Sequence, residues 1–448
     1  MCNLAHPTQG IVLLFYTSSV PARLRYIVHL LFEDISGLTV TFTPSLEEYL
    51  SYEGPKVAYC KEDPGDGLFV ESSGLLFEQA IFSHEIPIRR FQEIPVIFEA
   101  TNPDSGFPFD FLAASFYLVS RYEEYIATGS DKYNRFPASS SLAFQGGFLD
   151  KPVVNIWLRL FIDRLRRKYP SLMIRQEPFR YLPTIDIDHA FAYRYRPVSR
   201  TIGGIGRSLS RGRVNEVLER FRVLSGSAQD PYDTYSFIRS LHQDNQLSTL
   251  CFVLFADYGG NDNNIEVDGD GMRELVHSLA EWSDLGVHPS LSSSKEPSRL
   301  QSEKKGLERV TGTEITRSRQ HFLKFSFPST FQHLVSLGIR DEYSMGYASN
   351  PGFRAGISHP FGFFDLSVNE EKPLLIHPVS VMDVTFRDYL RLTPEESLNE
   401  IKQIIDQVRL YNGEFISLWH NESLSDKGRW RGWRKLYEEV VKEAAGTT

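Results

Sequence analysis

The chain has 448 residues, of which 41% are hydrophobic and 23% charged, and its formal net charge is −9. This length suffices for two or three domains with their own cores, and the composition excludes a largely disordered chain. Because no basic domain offsets the acidic charge, the sequence predicts no nucleic-acid partner.

The cysteines and the apolar runs indicate the cellular compartment of the protein. Cys2, Cys60 and Cys251 are scattered and show no C-x-x-C spacing, so we expect neither a disulfide framework nor a thiolate zinc site. The apolar run 11–16 is too short for a secretion signal, and no run approaches the roughly 18 apolar residues of a membrane span. The sequence therefore predicts a cytoplasmic protein without a transmembrane span.

Residues 1–178 are predicted to form a separate N-terminal α/β domain. Apolar periodicity predicts the following elements: strands at 11–16, 38–43, 56–60 and 95–98, and helices at 22–32, 108–125 and 153–169. No nucleophile, base and orienting group come together in this half. Its role as a scaffold, a specificity module or a dimerisation surface stays open, and so does the oligomeric state.

A basic insertion is predicted at about 194–225. Between Arg194 and Arg222 the chain carries eight arginines against two glutamates, and Val217, Leu218 and Phe221 form one apolar helical face. A solvated basic loop with a short packing helix is the commoner origin of such a pattern. The alternatives are peripheral contact with an anionic membrane and a grip on a phosphorylated substrate.

The second half again alternates strands with helices. The pattern predicts these elements: strands at 248–255, 322–327, 374–376 and 414–419, and helices at 232–243, 273–282, 330–337 and 394–411. Such alternation is typical of a parallel sheet or barrel, in which sites form at the C-terminal ends of the strands.

Carboxylates and histidines gather at these predicted strand ends. Asp186 and Asp188 share one face of a strand, so one can hold a metal while the other moves protons. An isolated D-x-D-H is more often an acidic turn. Five histidines accompany it, four at or just past the end of a predicted strand and one at the start of a strand: His189, His288, His377, His420 and His321. Together they predict a metal site.

Several segments resemble the motifs of the polysaccharide deacetylases, carbohydrate esterase family four, and occur in the same order. They are TIDID at 184–188, GVHPS at 286–290, RQHF at 319–322, DEYSM at 341–345 and FISLWH at 415–420. The whole chain is also similar to bacterial proteins in which an uncharacterised N-terminal domain precedes a divergent deacetylase domain. The resemblance implies that residues 179–448 form a distorted (β/α) barrel of about seven strands with a divalent metal, most often zinc.

The resemblance implies a role for each matching residue. Asp186 matches the general base and Arg319 the arginine that orients it. Asp188 matches the metal-binding carboxylate, and His288 matches the first metal-binding histidine. His420 matches the histidine that protonates the leaving amine.

The chain departs from the family at the second metal-binding histidine. That residue usually stands four positions after the first, where this chain has Ser292. We therefore expect His321 to supply the third ligand, with His377 and His189 as substitutes.

Further polar and aromatic residues are predicted to contact the sugar or to support the site. Arg354, Trp419 and Glu422 are the expected substrate contacts, and Asp383 or Glu422 is expected to orient a histidine ring. The sequence thus predicts a metal-dependent deacetylase acting on an N- or O-acetylated glycan or a sugar-bearing precursor. The alternatives are a non-catalytic carbohydrate-binding pseudoenzyme and a phosphoesterase.

Overall fold

The chain folds as an α/β structure with two principal sheets. The computed structural model describes residues 12–175, 177–259, 262 and 264–446. Its strands are β1 Val12–Tyr16, β2 Thr39–Thr43, β3 Lys56–Cys60, β4 Leu68–Glu71, β5 Arg89–Phe91, β6 Ile94–Val96, β7 Arg180–Ile187, β8 Leu250–Val253, β9 Asp284–Val287, β10 Arg317–Ser318, β11 Asp341–Met345, β12 Phe361–Asp365, β13 Glu370–Pro378, β14 Val381–Met382 and β15 Glu414–His420.

Helices flank both sheets, and shorter helical turns connect several elements. The α-helices are α1 Ala22–Val28, α2 Leu46–Ser51, α3 Phe111–Val119, α4 Tyr122–Ile126, α5 Leu142–Gln145, α6 Val153–Lys168, α7 Val198–Ser210, α8 Val214–Leu224, α9 Tyr235–Asp244, α10 Asp270–Ala280, α11 Pro297–Thr311, α12 Ser329–Ser336, α13 Pro394–Leu410 and α14 Trp433–Ala445. Helix α13 shows how local sequence sets a boundary, because the Thr393 side chain accepts from the Glu396 backbone N–H in a capping box and Pro394 follows the cap.

The first sheet has four parallel strands in the order β2-β1-β3-β4. The predicted strands at 38–43 and 56–60 are confirmed, and the one at 11–16 is confirmed from Val12 onward. Ile11 and Cys2 lie outside the described residues. The strand predicted at 95–98 instead corresponds to β6, which pairs with β5 in a small antiparallel hairpin.

The helix predicted at 108–125 is divided at Arg121, which adopts a left-handed backbone with φ 54°. The Arg121 side chain is fully buried and donates to Glu123, to Glu124 and to the backbone carbonyl of Arg354. The contact with Arg354 joins groups that are distant in sequence, so helical periodicity alone cannot reveal it. The helix predicted at 22–32 likewise ends early, at Val28, and a π-helical turn continues from His29 to Asp34.

The second sheet has nine strands in the order β12-β13-β11-β10-β9-β8-β7-β15-β14, and only the β12–β13 pair is antiparallel. Strand β13 pairs with β11, whereas β14 pairs with β15, and only two residues separate β13 from β14. The chain therefore crosses from one side of the sheet to the other, and the sheet curls. This confirms the α/β class and the mainly parallel pairing.

Most elements predicted in the second half are present within three residues of their predicted ends. The strand predicted at 322–327 is wrong, because that segment contains a 3₁₀ turn, His321–Leu323, and the neighbouring strand is β10. Strands β11 and β12 are short and lay outside the predicted elements. Helices α7 and α8 lie in the segment predicted as a basic insertion.

The two sheets share one apolar core. The Tyr26 ring lies 5.0 Å from that of Phe364, and the Tyr26 hydroxyl donates to the Gly362 carbonyl at 2.7 Å. The predicted domain boundary at residue 178 falls between the two sheets and remains a prediction. In the part of the chain that the structure describes, every helix is too short or too polar to cross a bilayer.

Candidate metal centre

The predicted aspartates lie at the C-terminal end of β7, the third strand from one side of the curled sheet. Asp186 is in register with Phe252 on β8 and with His420 on β15. His288 follows β9 directly, and its backbone N–H donates to the Val253 carbonyl at 2.9 Å. The parallel pairing therefore brings these strand ends to one edge of the sheet.

Three imidazole rings face the carboxylate of Asp188. The Nε2 atom of His288 lies 3.1 Å from Oδ1 of Asp188. The Nε2 atoms of His321 and His420 lie 3.2 Å and 3.6 Å from Oδ2. One ligand atom each from Asp188, His288 and His321 lie within 4.8 Å of one another, so these three residues could hold a metal ion together.

Each of the three rings is fixed through its other nitrogen. His288 Nδ1 bonds to the backbone carbonyl of Arg319 at 2.5 Å. His321 Nδ1 bonds to Asp262 Oδ1 at 2.9 Å, and His420 Nδ1 bonds to Asp383 Oδ1 at 2.8 Å. When Nδ1 carries the proton of a neutral ring, Nε2 presents a lone pair, which is the arrangement of metal-binding histidines held by outer hydrogen bonds.

The pair formed by His288 and Asp188 shows that these residues fit a cation. A carbonyl can only accept, so His288 must donate from Nδ1, and the neutral ring then turns a lone pair toward Asp188. The facing oxygen, Oδ1 of Asp188, is buried and lacks a hydrogen-bond donor in the described structure. Two lone pairs at 3.1 Å repel each other unless a proton or a metal ion lies between them.

The electrostatics of the cluster also favour positive charge. Burial acts to raise the pKa of Asp188, but the charge of His321 and the close contacts with His288 and His321 lower this pKa well below its usual range. Burial acts to lower the pKa of His321 and His420. Neighbouring carboxylates outweigh it and raise the pKa to about 9 for His321 and to about 10 for His420.

Asp186 lies beside this group and is bound by an arginine. The Arg319 Nη1 atom donates to Oδ1 of Asp186 at 2.7 Å and lies equally close to the Thr184 hydroxyl. Arg319 is fully buried, and its Nε donates to the Tyr343 carbonyl at 2.8 Å. The other carboxylate oxygen, Oδ2, lies 3.7 Å from His288 Nε2. The predicted base and its predicted orienting arginine are thus brought together beside the metal-binding group.

A cleft of about 430 Å³ opens over these residues. Its wall includes three residues from the first half of the chain, Lys132, Tyr133 and Arg135. Arg135 donates to the Phe322 carbonyl at 2.8 Å and to the Tyr389 hydroxyl at 3.1 Å. The segment 131–135 therefore completes the cleft, although it lies 50 residues before the first predicted site residue.

The loop that carries His321 has an unusual backbone. The two residues that follow it, Phe322 and Leu323, have φ values of 62° and 51°, a left-handed conformation that costs free energy in residues with a side chain. Arg135 binds the Phe322 carbonyl, and the Tyr133 ring lies 5.1 Å from the Phe322 ring. Contacts from the first half of the chain thus support the conformation that turns His321 toward Asp188.

Asp262 is a functional residue that the sequence reasoning missed. It holds Nδ1 of His321 and also accepts from the Ser292 hydroxyl at 3.2 Å. Ser292 occupies the position where the resemblance places a metal-binding histidine, and here it supports the carboxylate that orients His321. Asp262 lies in an irregular segment after β8, so no strand-end pattern marks it.

Two predicted substrate contacts lie away from the cleft. Arg354 is buried and binds both carboxylate oxygens of Glu124, at 2.9 Å and 2.6 Å. Trp419 is fully buried, with its ring 4.7 Å from that of Tyr437. Neither side chain lines the cleft, and Arg354 instead lines a neighbouring cavity of about 400 Å³, so neither is placed as a contact of a ligand in the cleft. Glu422 does line the cleft, where it accepts from Arg429 at 2.9 Å.

The two substitute ligands also lie outside the metal-binding group. His377 binds Glu414 and Asp341, which are the first residues of β15 and β11, so it lies at the opposite edge of the sheet. His189 lines the cleft, and its Nε2 lies 3.8 Å from the Glu422 carboxylate.

Comparisons with known proteins give a family for the first part of the chain only. Residues 13–170, about a third of the chain, match a family of unknown function, DUF7033. This agrees with the expected uncharacterised N-terminal domain. No curated protein matches the chain.

Three solved structures show distant similarity. The first, assigned as a polysaccharide deacetylase from Mycobacterium smegmatis, is 15% identical with a TM-score of 0.38, and the match covers 59% of this chain and 85% of that one. The second, a mutant of a carbohydrate esterase family four pseudoenzyme with restored activity, is 13% identical with a TM-score of 0.25, over 59% of this chain and 64% of that one. The third, a GH138 enzyme targeting pectin rhamnogalacturonan II, is 9% identical with a TM-score of 0.25, and the match covers 96% of this chain and 50% of that one.

Proposed function

We propose that this protein is a divalent-metal-dependent hydrolase that removes an acetyl group from an N- or O-acetylated glycan or a sugar-bearing precursor. One observation carries the proposal. Asp188 faces two imidazoles that are each fixed through Nδ1, while a second carboxylate and a third imidazole, Asp186 and His420, lie beside them with partners of their own.

Asp188, His288 and His321 would hold the metal, and a carboxylate with two imidazoles is a ligand set that zinc accepts. A bound zinc ion would supply Lewis acidity toward the acyl carbonyl and toward water. The curled sheet serves as a distorted barrel that gathers the three ligands from different strand ends. The segment 131–135 from the proposed N-terminal domain closes one side of the cleft.

Asp186 acts as the general base. Arg319 binds one of its oxygens and fixes the plane of the carboxylate, while the other oxygen faces the metal-binding residues. That oxygen accepts a proton from the water whose oxygen forms the new bond to the acetyl carbon. The ion pair with Arg319 thus provides orientation and does not consume the basic oxygen.

His420 acts as the general acid. Its Nδ1 and its backbone N–H both bind Asp383, at 2.8 Å and 2.9 Å, so the ring cannot turn. The carboxylates around it raise its pKa to about 10 despite burial, and the charged ring carries a proton on Nε2, toward Asp188 and the cleft. When the C–N or C–O bond of the acetyl group breaks, the leaving nitrogen or oxygen takes this proton, and the products are acetate and the free amine or alcohol.

Acetate release together with metal analysis tests the proposal. Purified protein is incubated with N-acetylglucosamine oligomers and with an O-acetylated glycan, and acetate is measured before chelation, after chelation and after zinc is restored. We expect about one metal ion per chain and activity that follows the metal content. Phosphate release from sugar phosphates without acetate release would indicate a phosphoesterase instead.

The non-catalytic alternative rests on Ser292, which stands where the family carries a metal-binding histidine. A carbohydrate-binding pseudoenzyme would bind the oligomers with the same affinity before and after chelation and would release no acetate. The same samples, measured by calorimetric titration, decide between the two functions.

A further inference from the structure

Helices α7 and α8 form a hairpin outside the nine-stranded sheet. The Ser208 hydroxyl donates to Glu216 at 2.9 Å, and the Arg213 backbone N–H donates to the Ser208 carbonyl at 2.8 Å. Within the two helices only Ser208, Val217 and Val223 are buried. These hydrogen bonds join the two helices to each other, while most of their side chains are not buried.

Both helices expose apolar side chains at helical spacing. On α7 the exposed fractions are 74% for Val198, 64% for Ile202 and 54% for Leu209. On α8 they are 54% for Val214, 56% for Leu218 and 55% for Phe221. The spacing of three, four and seven residues places each set along one stripe of its helix. Each helix thus exposes three large apolar residues along one stripe, whereas apolar residues on a protein surface are usually scattered singly.

Arginines are concentrated in the same segment. Eight arginines and two glutamates give residues 194–222 a net charge of +6, in a chain whose overall charge is −9. A cavity of about 360 Å³ between the helices is lined by six of the eight: Arg196, Arg200, Arg207, Arg211, Arg213 and Arg220. Among the described residues, the ion pair with Glu216 is the only one that these six form, and it involves Arg213. The local charge is therefore poorly neutralised within the chain.

We propose that the α7–α8 hairpin binds the anionic surface of a lipid bilayer, with its apolar stripes at the boundary between headgroups and acyl chains and its arginines on lipid phosphates. Helices that lie in the membrane interface typically combine one exposed apolar stripe with a basic face and carry few apolar residues elsewhere. Guanidinium groups suit phosphate because they donate two parallel hydrogen bonds to it. Two copies of this basic hairpin would repel each other, so the charge decides against a symmetric dimer through this surface.

The hairpin also lies next to the rim of the cleft. Glu219 on α8 forms an ion pair with Lys427 and accepts from the Tyr193 hydroxyl at 3.2 Å. Arg429, two residues after Lys427, lines the cleft. A membrane bound to the hairpin would therefore lie beside the cleft, and this docking does not depend on the activity proposed above.

Vesicle flotation tests the docking surface. The full chain is mixed with phosphatidylcholine vesicles, with or without about one-third phosphatidylglycerol, at low and high salt. We expect flotation with the anionic vesicles alone, and its loss at high salt because salt screens the arginines. Absence of flotation with anionic vesicles would overturn the proposal.

Two triple variants separate the apolar and the basic contributions. Ile202→Ser, Leu218→Ser and Phe221→Ser remove the stripes, and the second variant changes three exposed arginines to glutamine: Arg207, Arg211 and Arg222. We expect each triple variant to weaken vesicle affinity at least tenfold. A matched control, Met173→Ser with Val368→Ser, removes apolar residues that are 81% and 51% exposed elsewhere and should float like the wild type.

Three other outcomes would also overturn the proposal. Flotation that is unchanged in both triple variants would place the contact elsewhere. If vesicles fail to bind, retention of the wild type on immobilised nucleic acid would identify a nucleic-acid partner. A dimer in solution that Ile202→Ser dissociates would identify a second copy of the chain as the occupant. Circular dichroism and metal content check that every variant is folded.

Discussion

Two clusters of histidine and carboxylate lie at opposite edges of the curled sheet, and they differ in how the imidazole nitrogens are used. At the cleft, Nε2 atoms from three rings face Asp188. At the other edge, the two nitrogens of His377 bind Glu414 at 2.8 Å and Asp341 at 3.2 Å, and the ring stacks on Tyr343 at 4.3 Å. His377 has two carboxylates to itself, whereas at the cleft three rings share Asp188, so that their Nε2 atoms and its two oxygens face one another.

The protonation states explain why the clusters are suited to different tasks. His377 must carry a proton on both nitrogens to donate to both carboxylates, so it has no lone pair for a metal. At the cleft, His288 uses Nδ1 for a backbone carbonyl, which leaves its Nε2 available, and His321 shares the carboxylate of Asp188 with this ring. The following changes test this difference, beginning with the largest expected effect.

Removing a metal-binding ring should abolish metal binding and activity. In His288→Ala we expect metal content to fall from about one to below a tenth of an ion per chain, because two ligands hold zinc poorly. Acetate release should fall at least about 10³-fold. Metal is measured by mass spectrometry after dialysis. The matched variant His377→Gln should keep its full metal content, and loss of metal in His377→Gln alone would reverse the assignment of the two clusters.

Changing the proposed base should abolish most activity while the metal stays bound. Asp186→Asn keeps the shape of the side chain but removes the basic oxygen, so acetate release should fall about 10²- to 10⁴-fold. Metal content should stay near one per chain, since Asp186 lies outside the group of mutually close ligand atoms. Thermal unfolding serves as the control, because Arg319 loses a charged partner. Unchanged activity in a folded Asp186→Asn protein would contradict the proposed mechanism.

The segment 131–135 should influence the metal site from the first half of the chain. Arg135→Met removes the donor to the Phe322 carbonyl, and we expect about 10- to 100-fold weaker metal binding because His321 is then less well oriented. Competition with a coloured chelator measures the affinity. Lys132→Met is the matched control, because Lys132 lines the same cleft and its ammonium lies over the Tyr133 ring. Equal metal affinity in both variants would show that the backbone at Phe322 is held by other contacts.

Much of the site could be predicted from one rule, that the C-terminal ends of parallel strands lie at the same edge of a sheet. That rule brought together Asp186, Asp188, His288 and His420. It failed for His377, because β13 begins beyond the start of β11 as the partner of antiparallel β12, so that Leu375 is in register with Asp341, the first residue of β11. Strand alternation would have excluded Trp419, since neighbours on a strand point to opposite faces and His420 faces the cleft.

The contacts that could not be predicted are those between segments far apart in the chain. Asp262 and Arg135 act through irregular segments, where no periodicity indicates which way a side chain points. At the break in the predicted helix, Arg121 likewise makes one contact that only the fold brings about, to the Arg354 carbonyl. The sequence therefore predicted most strands, the ligands and the orienting residue Asp383, but not Asp262 or Arg135.

The His377 cluster should affect stability rather than activity, and the effect should depend on pH. Burial acts to lower the pKa of His377, but hydrogen bonds and charges from Asp341 and Glu414 raise it above the usual value of 6.5. Its contribution to stability is therefore fully present below pH 6.5 and is lost as the pH rises through the pKa of the folded state. We expect His377→Gln to lower the free energy of unfolding by about 1 to 3 kcal/mol at low pH and by less at high pH. Urea unfolding of both proteins between pH 6 and pH 10 measures this difference. A constant difference across that range would show that the ring stabilises the fold by packing against Tyr343 and not through the ion pair.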